Sequence, residues 1–124
     1  MKALSLIGLF LTLIPAWQVL AEPLRLEIEM GNYRFRPDKI EATVGREVML
    51  HLHNSDRFIP HDFVLEAPEA GLDIAVDVPP GASKTVRFTP TAAGFFPFHC
   101  SKRLLFFKSH RARGMHGLLM VTRQ

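Results

Sequence analysis

Hydrophobic and polar residues alternate with a period of two along most of the chain from residue 22 onward. The alternation is clearest over residues 24–30, 48–53, 72–78 and 85–88, and further strands are predicted over residues 39–44, 61–66, 94–100 and 117–122. This period is that of a strand with one face on a core and one face in solvent. Turn-forming residues separate the stretches, among them Gly31-Asn32, Gly45, Pro79-Pro80-Gly81 and Ala93-Gly94. The pattern therefore predicts an all-β fold, an antiparallel β-sandwich.

One segment departs from the β pattern. Residues 102–113 read KRLLFFKSHRAR, with good helix formers, neither Gly nor Pro, and Leu104, Phe107 and His110 at steps of three. We predict a helical or turn-rich insertion between the last two strands, with a short helix as the favoured form. An alternative interpretation is a basic amphipathic helix that binds a membrane surface or a partner.

The first 21 residues have the features of a secretory signal peptide. Lys2 precedes an almost wholly apolar run from Ala3 to Trp17, and Val19-Leu20-Ala21 supplies a cleavage motif. The alternative, an uncleaved membrane anchor, is less favoured because the run is short and interrupted by Pro15. We therefore expect cleavage after Ala21, a mature domain of residues 22–124, and a periplasmic location.

Composition narrows the class of protein further. The chain has 124 residues, of which 48% are hydrophobic and 22% charged, so it fits one folded domain and not a disordered chain. Fifteen Lys and Arg against twelve Asp and Glu give a net charge of +3, too even a balance to indicate nucleic-acid binding. A single cysteine, Cys100, excludes an internal disulfide framework.

The residues around Cys100 suggest a metal site. In an exported protein an unpaired thiol is a buried inert group, half of an intermolecular disulfide, or a metal ligand. Downstream of Cys100 lie His110 and Met115, and Pro60-His61 offers a second imidazole at the start of a predicted strand. Two His, one Cys and a weak axial Met form the ligand set of a blue-copper site.

This block resembles the cupredoxins, most visibly those of the plastocyanin type. The resemblance lies in Gly94-x-x-x-Phe98-x-Cys100-Ser101, in His110-x-x-x-Gly114-Met115-x-Gly117, and in Pro60-His61. It implies a seven- or eight-stranded Greek-key sandwich that binds copper. The ligands that it implies are His61, Cys100, His110 and Met115.

Two features depart from the plastocyanin pattern. Nine residues, 101–109, separate Cys100 from His110, many more than in plastocyanin, so we expect the extra residues to bulge outward or form the short helix. Asp62 replaces the usual Asn after the upstream His. Its N–H is expected to donate to the Cys100 sulfur and its carboxylate to accept from Ser101, while its charge favours Cu(II) over Cu(I).

The other histidines and the nearby aromatic residues carry weaker expectations. His51 and His53 share a strand face, where they are either a second metal site or simply exposed. His99 is expected to point away from the ion, and His116 is the alternative ligand if Met115 lies too far away. The phenylalanines near the site are expected to keep water out: Phe95, Phe96, Phe98, Phe106 and Phe107.

The function that this sequence predicts is single-electron transfer by an exported copper protein that is not an enzyme. LLFFKSH followed by RxxGMxG resembles cupredoxin-domain proteins found with bacterial iron permeases, which implies a role in oxidising ferrous iron for uptake. The alternative is a periplasmic copper carrier or copper-resistance protein. We expect a monomer without stable membrane insertion, with a redox partner that is acidic or part of a membrane iron-uptake complex and is attracted by the cations of residues 102–113.

Overall fold

Residues 24–122 form two packed β-sheets in a computed structural model that describes residues 2–5, 8, 10–13 and 21–124. The described residues contain nine strands: β1 Leu24–Gly31, β2 Arg34–Arg36, β3 Lys39–Thr43, β4 Val48–Asn54, β5 His61–Ala67, β6 Leu72–Val78, β7 Ser83–Phe88, β8 Gly94–His99 and β9 His116–Thr122. Two 3-10 turns also occur in this described part of the chain, at Pro68–Ala70 and Arg111–Arg113. The predicted all-β sandwich is therefore confirmed.

The two sheets are mixed, whereas the sequence analysis predicted antiparallel sheets. Their strand orders are β2-β1-β4-β7 and β3-β9-β8-β5-β6, and β1 with β4 and β3 with β9 pair in parallel. Alternation along one strand fixes which face is buried, but it does not depend on the direction of the neighbouring strand. The period of two therefore predicted where the strands lie in the sequence, but not whether neighbouring strands run parallel or antiparallel.

The core lies between the sheets and is built from the inward half of each strand. Leu50 and Leu52 of β4 are fully buried, as are Phe63 and Leu65 of β5. Three aromatic rings pack together in this core. The ring centroid of Phe98 lies 4.9 Å from that of Phe63 and 5.2 Å from that of Phe35. Within the described residues, every fully buried core side chain lies between Ile28 and Val121.

The predicted signal peptide lies largely outside the described residues, because residues 1, 6, 7, 9 and 14–20 are not among them. Cleavage after Ala21 and the boundary at residue 22 therefore stay predictions. Among the described residues, no helix has both the length and the apolar content needed to cross a bilayer.

The segment between β8 and β9 is an insertion, as predicted, but its only helical part is the 3-10 turn Arg111–Arg113. The His110 N–H donates to the Lys102 carbonyl at 2.9 Å, so the two ends of residues 102–110 meet. An α-helix over the same eight steps would separate those ends by about 12 Å. The sequence has the propensity for a helix, but the closed ends of the segment exclude one.

Candidate metal centre

Three strand ends converge at one end of the five-stranded sheet. His61 is the first residue of β5, Cys100 directly follows β8, and Met115 directly precedes β9. Because β8 pairs antiparallel with both neighbours, its last residue, His99, lies opposite His116 at the start of β9 and opposite Val64 of β5. The chain that leaves β8 at Cys100 therefore runs toward the start of β5. The Cys100 N–H donates to the Met115 carbonyl at 3.1 Å, and the Met115 N–H donates to the His110 carbonyl at 3.0 Å. Backbone hydrogen bonds thus bring four distant sequence positions together.

The side chains of His61, Cys100 and His110 point their ligand atoms at one another. The two Nδ1 atoms lie 3.2 Å apart, and the Cys100 Sγ lies 3.9 Å from Nδ1 of His61 and 3.5 Å from Nδ1 of His110. With metal–nitrogen bonds of about 2.0 Å and a metal–sulfur bond of about 2.3 Å, a trigonal ion separates its nitrogens by about 3.5 Å and each nitrogen from sulfur by about 3.7 Å. The observed triangle therefore has the size that a transition-metal ion requires.

A carboxylate holds His61 in the tautomer that a ligand needs. The His61 Nε2–H donates to Asp56 Oδ2 at 2.6 Å, which leaves the Nδ1 lone pair directed at Cys100 and His110. Asp56 belongs to the loop before β5, and the Asn54 side chain fixes this loop by donating to the carbonyls of Ile59 and Val78. A carboxylate on the remote nitrogen is the usual support of a metal-binding histidine.

Burial keeps the cysteine and His110 neutral when they have no metal. Burial is the main cause that raises the pKa of the Cys100 thiol to about 11, and the charge of Asp62 adds to it. Burial also lowers the pKa of His110, and the positive charge of Arg113 acts in the same direction. Neutral imidazoles bind metals directly, and a thiol gives up its proton when a metal replaces it. The donor set therefore fits a soft transition-metal ion.

Met115 and His116 are the two candidates for the fourth ligand, beyond His61, Cys100 and His110. Met115 is fully buried and its backbone bonds to Cys100 and His110, whereas His116 is exposed and lies opposite His99 in the β8–β9 pair. Among the described residues, the cluster of His, Cys and carboxylate ligands at metal-binding distance consists of His61, Cys100 and His110. Met115 as the axial ligand stays a prediction, and its position favours it over His116.

Asp62 makes the contacts expected of it. Its backbone N–H donates to the Cys100 Sγ at 3.4 Å. Its Oδ1 accepts from the Ser101 N–H at 2.6 Å, and its Oδ2 accepts from the Ser101 hydroxyl. Asp62 thereby holds Ser101, the residue that follows Cys100, and places a carboxylate close to the thiolate position.

His51 and His53 are part of a polar strand face. The His51 Nδ1 bonds to the Thr85 hydroxyl at 3.1 Å, and the His53 Nδ1 bonds to the Ser83 hydroxyl at 2.8 Å. These contacts between β4 and β7 give both histidines partners in the sheet. The pair therefore contributes to the surface of the sheet and is not part of the metal cluster.

Most of the phenylalanines expected to shield the site are exposed. Phe98 is fully buried, and Phe96 packs against the core. The prediction was wrong for Phe95, Phe106 and Phe107, which have exposed side chains. Phe95 lies on the outer face of β8, and the other two belong to the outward insertion, so proximity in sequence did not imply burial at the site.

Tyr33 and Asp56 are the site residues that sequence reasoning missed. The Tyr33 ring packs edge-on against His110, with centroids 5.0 Å apart, and the Arg113 guanidinium lies 4.4 Å from the Tyr33 ring centre. Asn32 and Tyr33 both have positive φ, at 51° and 56°, in the two-residue turn between β1 and β2. The Gly31-Asn32 turn signal was recognised, but it did not indicate that the turn carries a ring onto the site.

Comparisons with known proteins identify the family and the fold of the chain. The sequence profile described as "Cupredoxin-like domain" matches residues 3–115. No curated protein matches the chain. Among solved structures, dithionite-reduced auracyanin from Roseiflexus castenholzii superposes with a TM-score of 0.65 at 22% identity, over 82% of this chain and 99% of auracyanin.

Two further solved structures share the fold. The copper nitrite reductase of Nitrosomonas europaea matches with a TM-score of 0.64 at 23% identity, over 83% of this chain and 42% of the reductase. The metal-binding domain of the Cu(I)-exporting P-type ATPase CopA of Streptococcus pneumoniae D39 matches with a TM-score of 0.62 at 17% identity, over 84% of this chain and 91% of that domain. With the donor set described above, these findings identify the metal as copper.

Proposed function

Because the chain belongs to the family of cupredoxin-like domains, we propose that it is a periplasmic carrier of single electrons, with copper held by His61, Cys100, His110 and Met115. The observation that carries the proposal is the triangle of Nδ1, Nδ1 and Sγ atoms, buried and sized for one ion. Copper in such a site supplies reversible one-electron chemistry. The protein supplies a rigid ligand set and excludes water from it.

The protein contributes a rigid ligand set. His61 is held by Asp56, Cys100 by the Asp62 N–H, and His110 by the backbone hydrogen bond to Lys102. Ligands fixed in this way rearrange little when an electron arrives or leaves, which keeps electron transfer fast in both directions. Burial of the three ligands excludes water that would otherwise add to the coordination.

His110 marks the side from which electrons enter and leave. It lies in the insertion, and its ring contacts the surface residue Tyr33. It also lines two surface cavities of about 250 Å³ and 190 Å³, both of which Tyr33 and Leu104 line as well. His61, in contrast, is fully buried. We therefore assign the exchange of electrons with a redox partner to the face around His110.

The proposed physiological electron donor is ferrous iron, as the resemblance of the insertion to cupredoxins of iron-permease systems implies. Each Fe(II) gives up one electron to become Fe(III), and the oxidised protein takes up that electron. The test is single-turnover mixing of Fe(II) with the oxidised protein. We expect one Fe(III) for each copper, and no Fe(III) above buffer with Cys100→Ser, which removes the thiolate. Rapid reduction by another donor but not by Fe(II) would contradict the iron role while leaving electron transfer intact.

Copper delivery is the alternative function, and the burial of the ligands disfavours it. His61 and Cys100 have no exposed surface and His110 has 5%, whereas a carrier needs ligands that an acceptor can reach. Copper transfer to a chelator distinguishes the two functions. In the presence of the chelator, an electron-transfer protein should retain its copper over many cycles of oxidation and reduction. A copper-delivery protein should lose its copper to the chelator during the same cycles.

A further inference from the structure

Four consecutive large apolar residues, Leu104–Phe107, form an exposed turn in the insertion, called here the apolar turn. The Phe107 N–H donates to the Leu104 carbonyl at 3.0 Å and closes the turn. Leu105 adopts a φ of +47°, a left-handed conformation that is costly for a large side chain. Exposed turns normally use Gly, Asn, Asp, Pro or Ser. Folding alone therefore does not explain this choice of residues.

The apolar turn dominates the exposed hydrophobic surface of the domain. Leu105 is 75% exposed and Phe106, at the tip, is 97% exposed. Across residues 21–124, the exposed large hydrophobic residues are Phe58, Phe95 and the four residues of the turn. Phe58 and Leu104 line the same cavity beside His110, so only Phe95 lies elsewhere. A contiguous exposed apolar surface of this kind marks an interaction site.

The apolar turn is held in place before any partner arrives. The Arg103 Nε–H donates to the Phe107 carbonyl at 2.9 Å, and the His110 N–H donates to the Lys102 carbonyl at the same distance. A turn closed at its base loses little conformational freedom when its tip is buried. These hydrogen bonds therefore hold the apolar turn in its exposed position in the free protein.

The surroundings of the apolar turn are strongly basic. Five cations occupy residues 102–113, and residues 78–124 contain no Asp or Glu. Among the described residues, the ion pair that these cations form is Lys102 with Asp77 at 2.6 Å, so Arg103, Lys108, Arg111 and Arg113 are not neutralised by a salt bridge. This combination of apolar tip and basic rim is complementary to a surface that is anionic outside and apolar beneath.

We infer that the apolar turn docks reversibly on an anionic lipid bilayer, with Leu105 and Phe106 in the interface and the cations on the lipid phosphates. A bilayer accepts a protruding apolar tip at any point, whereas a protein partner would need a pocket shaped for Phe106. Apolar insertion and electrostatic attraction are the two signals that together make interfacial binding effective. This docking is contact with one leaflet and not a membrane span.

Membrane docking also gives the electron-transfer face an orientation. Leu104 and His110 line the same cavity, so a docked domain presents its His110 side to the membrane surface. If the proposed function holds, the redox partner reached from this position is embedded in the bilayer. Lipid binding itself depends on neither copper nor electron transfer.

The test is flotation of the chain without residues 1–21, copper-loaded, with vesicles of phosphatidylglycerol and phosphatidylcholine or of phosphatidylcholine alone. We expect binding to the mixed vesicles that weakens with salt, and about tenfold weaker binding for Phe106→Ser. The matched control is Phe95→Ser, which removes a phenylalanine that is 71% exposed from another face. Lys108→Gln should weaken binding about fivefold, whereas Lys84→Gln, on the other sheet, should not.

A tryptophan at the tip distinguishes insertion from adsorption. The only tryptophan, Trp17, lies in the removed segment, so Phe106→Trp introduces a single reporter. We expect a blue-shifted emission on mixed vesicles and quenching by brominated acyl chains. Absence of vesicle binding, or equal losses for Phe106→Ser and Phe95→Ser, would overturn the inference and leave a protein as the occupant. The copper-free chain should bind the vesicles equally well, so this result is independent of the proposed electron transfer.

Discussion

Replacing Asp62 by Asn should raise the reduction potential of the copper protein. The carboxylate accepts two hydrogen bonds from Ser101, and the backbone N–H of the same residue donates to Cys100 Sγ. Asn preserves this arrangement, since its carbonyl accepts from the Ser101 N–H and its amide donates to the Ser101 hydroxyl. The substitution therefore removes a negative charge with little change of shape. That charge stabilises the more positive, oxidised state of the site.

The size of the effect follows from distance and burial. At about 6 Å and an effective dielectric constant near 20, one unit charge contributes about 3 kcal/mol. Asp62 is 7% exposed, so solvent screens only part of this interaction. If half survives, about 1.4 kcal/mol remains, which is a tenfold change in a one-electron equilibrium and a rise of about 60 mV.

Voltammetry of the copper-loaded variants measures this shift directly. Asp77→Asn is the matched control, because Asp77 lies opposite Asp62 on β6 but is exposed and paired with Lys102. It changes the net charge equally, and we expect a rise of about 20 mV or less because solvent screens it. In the metal-free protein, Asp62→Asn should also lower the pKa of the Cys100 thiol from about 11, although burial keeps it raised.

Two results would refute this reasoning. An unchanged or lower potential for Asp62→Asn would show that the carboxylate charge does not act on the site. Equal shifts for Asp62→Asn and Asp77→Asn would show that only net charge matters, and not the buried position of Asp62.

Three further predictions test the supports of the site. Asp56→Asn weakens the hydrogen bond that fixes the His61 tautomer, so competition with a chelator should show about tenfold weaker copper binding; unchanged affinity would contradict this role. Phe98→Ala should cost about 3–5 kcal/mol in urea unfolding, since the ring is fully buried, whereas Phe95→Ala should cost less than about 0.5 kcal/mol. Burial lowers the pKa of His110, so below pH 6.5 the unfolded chain binds more protons at this residue; the free energy of unfolding of the metal-free protein should fall on acidification, and less so for His110→Gln.

The strands were predictable because alternation reports directly on which side chains face the core. All eight predicted strands occur, and the start of β4 at Val48 was placed correctly. The missed strand, β2, has three residues, too few for a period to show. Parallel pairing of β1 with β4 was not predictable, since it depends on how the chain crosses between sheets and not on the pattern within a strand.

The metal cluster was predictable from residue chemistry, whereas its surroundings were not. His61, Cys100 and His110 were selected by type and order, and the structure brings their ligand atoms together. Asp56 and Tyr33 reach the site through the conformations of a loop and a tight turn, for which a single sequence carries only weak signals. The exposure of Phe106 likewise depends on how the insertion closes, whereas its proximity to the site in sequence had suggested that it shields the metal.

The visible absorption of the copper-loaded protein tests the central claim most directly. A thiolate bound to Cu(II) in the plane of two imidazoles gives an intense charge-transfer band, so the oxidised protein should be strongly coloured. The band should disappear in Cys100→Ser, which keeps a similar shape without the sulfur. A pale Cu(II) complex with an ordinary tetragonal spectrum, or a band that persists in Cys100→Ser, would contradict the assignment of Cys100, His61 and His110 as the copper site.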